Sequence, residues 1–202
     1  MKKLILLFAP MLIFSFTEMK NTLTAKERES AGKLLTDTEN AVFDAVRGLS
    51  EAQLHFKPAP DRWSVEECVK HIAISEQNLW KMIDGGLKQP ANPEKRADIK
   101  MTDDQVVQML ENRTRKVKTS DALKPENTPF KSLDEALSSF KANRNKLIDY
   151  VKSTDDDLRN HVLAMPFGSL DCYQIVLFIG AHSNRHTQQI DEVKADPNYP
   201  KN

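Results

Sequence analysis

The sequence predicts an all-α protein: a four-helix bundle with one extra, smaller helix between the second and third bundle helices. Three observations carry this. Capping-box patterns at Thr24-Ala25-Lys26-Glu27, Ser64-Val65-Glu66-Glu67, Thr102-Asp103-Asp104-Gln105 and Ser132-Leu133-Asp134-Glu135 each precede apolar residues recurring at intervals of three and four. Six glycines and 7% aromatic residues are too few for a sheet-rich or fibrous chain. A length of 202 residues, 40% apolar and 29% charged, suits one folded domain with a sizeable core.

The first helix follows Thr24, carries Ala31, Leu34, Leu35, Thr38, Val42, Ala45 and Val46 on one face, and ends near Gly48. Leu49 to Pro60 is a proline-rich connector, expected to pack on the bundle end and run into Trp63. Ser64 opens the second helix, with Val65, Cys68, Val69, Ile72, Leu79 and Ile83 inward and a stop at Gly85-Gly86. The 17 residues from Gly85 to Met101 form a long loop expected to run over the bundle. A smaller helix follows Thr102, with Val106, Met109, Leu110, Arg113 and Val117 on one face; its apolar stripe thins toward Ser120, which places it at the periphery. Ser132 starts a core helix bearing Leu133, Ala136, Leu137, Phe140, Leu147, Ile148 and Val151. Residues 153 to 169 read as irregular, and Ser169 as the cap of a last helix running from Leu170 to about Val193. The bundle domain spans residues 21–195, and residues 196–202, with two prolines, read as a frayed tail.

Lys2 and Lys3 ahead of the apolar run Leu4–Phe16 match the charged and apolar regions of a signal peptide over residues 1–20, too short to span a bilayer. The expectation is a secreted or periplasmic protein without stable membrane association after processing; translation from Met19 would instead make it cytoplasmic. Lysine plus arginine equals aspartate plus glutamate at 29 each, with the basic residues scattered, so nucleic acid is not an expected partner. Cys68 and Cys172 are too few for a disulfide scaffold and read as small buried hydrophobes.

His182 and His186, four apart on the last helix, share a face one turn apart, so both imidazoles can reach one ion. Such a pair needs a further ligand. His71 is the other histidine placed on a helix near its inner face, whereas His55 lies in the connector and His161 in the irregular segment. Three neutral imidazoles suit a divalent ion such as Zn, Ni, Fe or Mn and leave positions open, the catalytic rather than the structural pattern. An ion held so can lower the pKa of a water or a thiol toward neutrality. The run His182-Ser183-Asn184-Arg185-His186 lacks the glutamate that zinc peptidases place after the first histidine. Glu67 reads as closing the capping box, and Trp63 and Phe167 as packing at the bundle end.

Together, Arg62-Trp63-Ser64-Val65-Glu66-Glu67-Cys68-Val69-Lys70-His71-Ile72-Ala73, the turn Pro166-Phe167-Gly168 and Ala181-His182-Ser183-Asn184-Arg185-His186-Thr187-Gln188-Gln189-Ile190 resemble the DinB/YfiT-like superfamily. The resemblance covers roughly Thr24 to Val193. It implies a four-helix bundle, often a homodimer, with a divalent metal on His71, His182 and His186. It also implies a metal-dependent enzyme that activates water or a low-molecular-weight thiol for hydrolysis or group transfer on a small-molecule substrate. The competing expectation is a non-catalytic metal-binding or stress-related bundle.

Overall fold

The computed structural model describes residues 22–114 and 117–201; the segment read as an export signal, with its alternative start at Met19, lies outside them. In chain order the elements are α1 (Ala25–Val46), α2 (Glu51–His55), α3 (Val65–Leu87), α4 (Asp103–Glu111), α5 (Leu133–Ser153), strands β1 (Val162–Met165) and β2 (Gly168–Asp171), and α6 (Cys172–Lys194). Short 3-10 turns occupy Pro93–Asp98, Asp121–Leu123 and Pro125–Asn127. Among the described residues no helix is long and apolar enough to cross a membrane.

The bundle consists of α1, α3, α5 and α6. Both α1 and α3 pack against α5 and α6, so the first two bundle helices lie on a diagonal, and α4 packs on the outside of α6. Crossing a diagonal requires a longer connection than a hairpin turn. The segment between α1 and α3 supplies it, turning at Gly48 in the left-handed region (φ +72°) and forming α2. α2 was expected only as connector; Ser50 and Gln53 give it a capping box, and Gln53 and Leu54 are buried.

Three helices start where their capping boxes predicted, at Thr24, Ser64 and Thr102. At α5 the Ser132 hydroxyl accepts from Glu135 N–H, but the Glu135 carboxylate reaches back to Lys131 N–H instead of closing the box. α6 differs by two residues. Its cap is Asp171, paired with Gln174 in a box of its own, because Ser169 and Leu170 are engaged in antiparallel pairing with Ala164 and Leu163. The segment expected to be irregular is thus a hairpin, closed at Pro166-Phe167 with Gly168 at φ +133°.

Other boundaries move for identifiable reasons. α3 runs past Gly85-Gly86 to Leu87; Gly86 serves as a packing surface, since a Cβ there would stand 3.0 Å from the Leu163 methyls. α4 ends at Glu111, well short of Ser120, where the Asn112 side chain accepts from Thr114 N–H and hydroxyl and draws the backbone into a turn. The helix is also less peripheral than expected: Val106 is fully buried, and Leu110 joins the core around α6. The tail expected to fray turns at Asp196, sets Tyr199 edge-on to Phe56 at 5.6 Å and accepts Gln53 Nε2–H at the Pro200 carbonyl.

The apolar core has two halves, one around Leu35, Ile83, Leu147 and Ile179, the other around Val42, Ile72, Phe140 and Ile190. Between them lies a polar layer. Arg144 of α5, fully buried, donates to both Glu76 carboxylate oxygens on α3 (2.9 and 2.7 Å). It also donates to the Leu35 carbonyl and Thr38 hydroxyl on α1 (both 2.8 Å) and to the Ser183 hydroxyl on α6 (2.7 Å). Burial pushes the Glu76 carboxyl above the usual carboxylate range, and the Arg144 guanidinium opposes that shift. A second arginine, Arg159, ties Glu27, Asp103 and the α6 cap Asp171 together and lies 4.1 Å over the Tyr173 ring.

Removing one partner of a buried pair leaves the other charged and unpaired, at a cost of roughly 3–5 kcal/mol. Glu76→Ala should therefore lose about that much stability in urea unfolding, while the double change Glu76→Leu with Arg144→Met should recover most of it. Equal midpoints for the wild type and Glu76→Ala would show that the pair is not needed.

Candidate metal centre

His71 sits two turns into α3, and His182 and His186 one turn apart on α6. All three arise at the level of the polar layer: Glu76 is five residues beyond His71, and Ser183 follows His182 directly. The packing of α3 against α6 brings one nitrogen from each ring to within 4.8 Å of the others. Nε2 of His182 and Nε2 of His186 stand 3.2 Å apart.

Hydrogen bonds on the far side of two rings decide which nitrogen faces the cluster. Nδ1 of His71 donates to the Leu123 carbonyl at 2.7 Å, which leaves its Nε2 bare in the neutral ring. Nδ1 of His186 is 2.9 Å from Gln189 Oε1, which acts on that ring in the same way. At 3.2 Å, Nε2 of His182 either donates its hydrogen to the bare Nε2 of His186 or, in the other tautomer, shares a cation with it. Two ligands at ~2.1 Å from a common ion would be separated by about 3.0–3.4 Å, so the spacing fits a shared divalent ion.

The environment keeps these rings uncharged. Burial holds His71 below the usual imidazole range, against the opposing effect of the Leu123 carbonyl. Burial comes first for His182 as well, helped by His71, Arg185 and Arg144, and for His186, helped by His182 and His71; both lie well below that range. Neutral imidazole is the metal-binding form. His71 and His186 are 3% and 7% exposed, whereas His182 is half-buried and marks the side open to solvent.

Aromatic rings surround the cluster. Trp63 lies 4.7 Å from the His71 ring and 5.8 Å from His186, so it packs on the site and not merely on the bundle end. Phe178 stacks on His182 at 5.8 Å, and the 42% exposed Phe167 stacks on Phe178 at 5.7 Å, a column from the hairpin turn to a candidate ligand. The remaining histidines, Glu67 and the cysteines stand apart from the cluster, as the sequence placed them. Glu67 closes its capping box and pairs with Lys57. His55 is exposed beside Glu51 and Glu66, and His161 bonds the Asp157 and Gln89 carbonyls. Cys68 and Cys172 are free and fully buried in different halves of the core; burial pushes the Cys172 thiol up to about 12 and Cys68 higher still. A shallow concavity of about 600 Å³ beside Phe43, Leu133, Leu137 and Lys141 shares no residue with the cluster.

Unfolded histidines protonate near pH ~6.5, whereas the folded rings stay neutral to lower pH, so below that value the unfolded chain binds more protons. The metal-free protein should therefore lose stability as pH falls from about 6.5, by up to about 1.4 kcal/mol per pH unit for each ring. Urea midpoints between pH ~7.5 and ~5.5 measure the slope, and His186→Gln should flatten it by one ring's share. A wild-type midpoint that does not move would contradict neutral burial.

Comparison with known proteins agrees with this architecture. The model of the DinB superfamily matches residues 34–190. A protein of Bacillus subtilis (strain 168), YuaE, described as uncharacterized, is 27% identical over 153 residues, covering 75% of this chain and 90% of that protein. The solved structure of YfiT from Bacillus subtilis, described as a probable metal-dependent hydrolase with an unusual four-helix bundle topology, superposes with a TM-score of 0.58 at 14% identity. The superposition covers 86% of this chain and 89% of YfiT. With the family match spanning most of a four-helix bundle in which three inward histidines meet, the chain belongs to the DinB superfamily.

Proposed function

We propose that this protein is a metal-dependent enzyme that carries out hydrolysis or group transfer on a small molecule, with a divalent ion (Zn, Ni, Fe or Mn) on His71, His182 and His186. The observation that carries the reading is the donor set: three neutral, inward imidazoles that, among the described residues, no cysteine or carboxylate joins. A closed structural site uses four protein ligands, and three leave room for a reactant. The description of YfiT as a probable metal-dependent hydrolase supports the same class.

When bound, the ion supplies Lewis acidity, which activates water or a thiol and polarises the substrate. The protein's own residues hold and enclose the centre. Leu123 and Gln189 orient two rings, and Trp63 with the core excludes water from their inner sides. Half-buried His182, with Phe178 and Phe167 beside it, leaves the approach for a substrate on the hairpin side. Ser75 Oγ, itself buried, lies 3.4 Å from His71 Nε2 and is the hydroxyl beside that ring. The charged run at Lys2-Lys3 and the apolar run Leu4–Phe16 support a further proposal, that the enzyme works outside the cytoplasm; N-terminal sequencing of the mature chain should then begin some 15–20 residues in.

Elemental analysis of untagged protein should find about one divalent ion per chain, lost in His71→Ala and His182→Ala. Chelation should abolish turnover in a panel of esters, amides and thiol adducts while the far-UV circular dichroism stays unchanged, and one of the four metals should restore it. Equal metal content in all three proteins would remove the centre. A large loss of melting temperature on chelation, without any turnover to lose, would instead identify the ion as a structural staple.

A further inference from the structure

We propose that Gln189 is a positioning residue that locks His186 in the tautomer whose Nε2 faces the cluster, and that Arg113 sets the orientation of the Gln189 amide. The inference rests on the metal-centre reading above and assigns a role to residues outside the three ligands.

The assignment follows from which groups can only donate. Arg113 Nη1 lies 3.4 Å from Gln189 Oε1, and a guanidinium has no acceptor, so the amide atom facing it must be the oxygen. That same oxygen is 2.9 Å from His186 Nδ1, and an amide oxygen only accepts, so Nδ1 must carry the hydrogen. A neutral imidazole has one N–H, and Nε2 is therefore bare. Arg113 is itself fixed, donating from Nε and Nη2 to the two oxygens of Glu192 at 2.9 and 2.7 Å, a fork-to-fork geometry. Arg62 also reaches Glu192, at 3.4 Å.

Without an acceptor at Gln189, the buried ring would either leave an N–H unsatisfied or move the proton to Nε2, into the cluster. The second outcome blocks the nitrogen a metal needs. Acceptors behind ligating histidines contribute roughly 10–100-fold to metal affinity.

Zinc affinity measured by chelator competition on the metal-free protein tests the lock. Gln189→Leu should weaken zinc binding about 10–100-fold, whereas Gln189→Glu, which keeps an oxygen in place, should stay within about threefold of wild type. Independently of any variant, ¹⁵N shifts of the His186 ring in wild-type metal-free protein near neutral pH should report Nδ1–H. Gln189→Leu binding zinc within about twofold of a wild type that does bind it, or a wild-type His186 ring carrying Nε2–H, would overturn the lock and leave the metal centre standing. A wild type that binds no zinc, nickel, iron or manganese would overturn the centre itself.

Discussion

Arg144 is the side chain on which the geometry of the bundle depends, because its hydrogen bonds reach the other three bundle helices from the centre of the fourth. Apolar packing alone tolerates sliding of one helix along another, since one methyl-bearing surface resembles the next. A guanidinium whose partners lie on α1, α3 and α6 does not, because a shift by one residue would strand a buried charge. The layer also fixes the site. Glu76 and His71 share α3, and Ser183 and His182 are neighbours on α6, so the contacts that set these helices against each other also set the spacing of the histidines. Stability and function are linked here through register.

The same burial that makes the polar layer costly makes the histidines useful. Three imidazoles in water would be partly protonated near neutral pH, and mutual repulsion would drive them apart. Inside the bundle, desolvation keeps them uncharged, and α3 and α6 keep them close. A divalent cation fits between nitrogens at 3.2 Å without disturbing the rest of the core, in place of the hydrogen that the two rings can otherwise share. Half-buried His182 is the most exposed of the three and stands next to the aromatic column that ends at Phe167.

Much of this could be read from the residues. Local signals served well where local chemistry decides: Thr24, Ser64 and Thr102 start their helices, and the apolar stripes of α1, α3 and α5 face inward as spaced. The histidines that meet are the pair that helical spacing singled out, His182 and His186, and His71, read as lying near the inner face of the second bundle helix. Legibility ended where a distant partner decides. Ser169 looks as good a cap as Asp171 until β2 pairs with β1, and Gly86 looks like a stop until Leu163 packs on it. Arg144 in a run of polar residues gave no sign of complete burial, because its partners come from three other helices. Gln189 is one of two consecutive glutamines on α6; the sequence does not show that its amide oxygen meets both His186 and the distant Arg113.

The long segment between α4 and α5 then takes on a meaning its sequence did not suggest. Lengthening a loop costs little closure entropy, about 0.6 kcal/mol per doubling, so a bundle can carry such an insertion cheaply. What the insertion adds is contact with both histidine-bearing helices: the Leu123 carbonyl behind His71 on α3, and Arg113 behind Gln189 and Glu192 on α6. Arg185, one residue before His186, donates to the carbonyls of Leu110 in the last turn of α4 and of Asn112 at the start of the segment. A bundle needs only that the chain get from α3 to α5; a metal centre needs acceptors behind its imidazoles, and neither α3 nor α5 supplies the one behind His71. The segment therefore belongs to the surroundings of the histidine cluster, and the bundle and its insertion divide the work. The helices bring three nitrogens together, and the connector determines which way two of the rings present them.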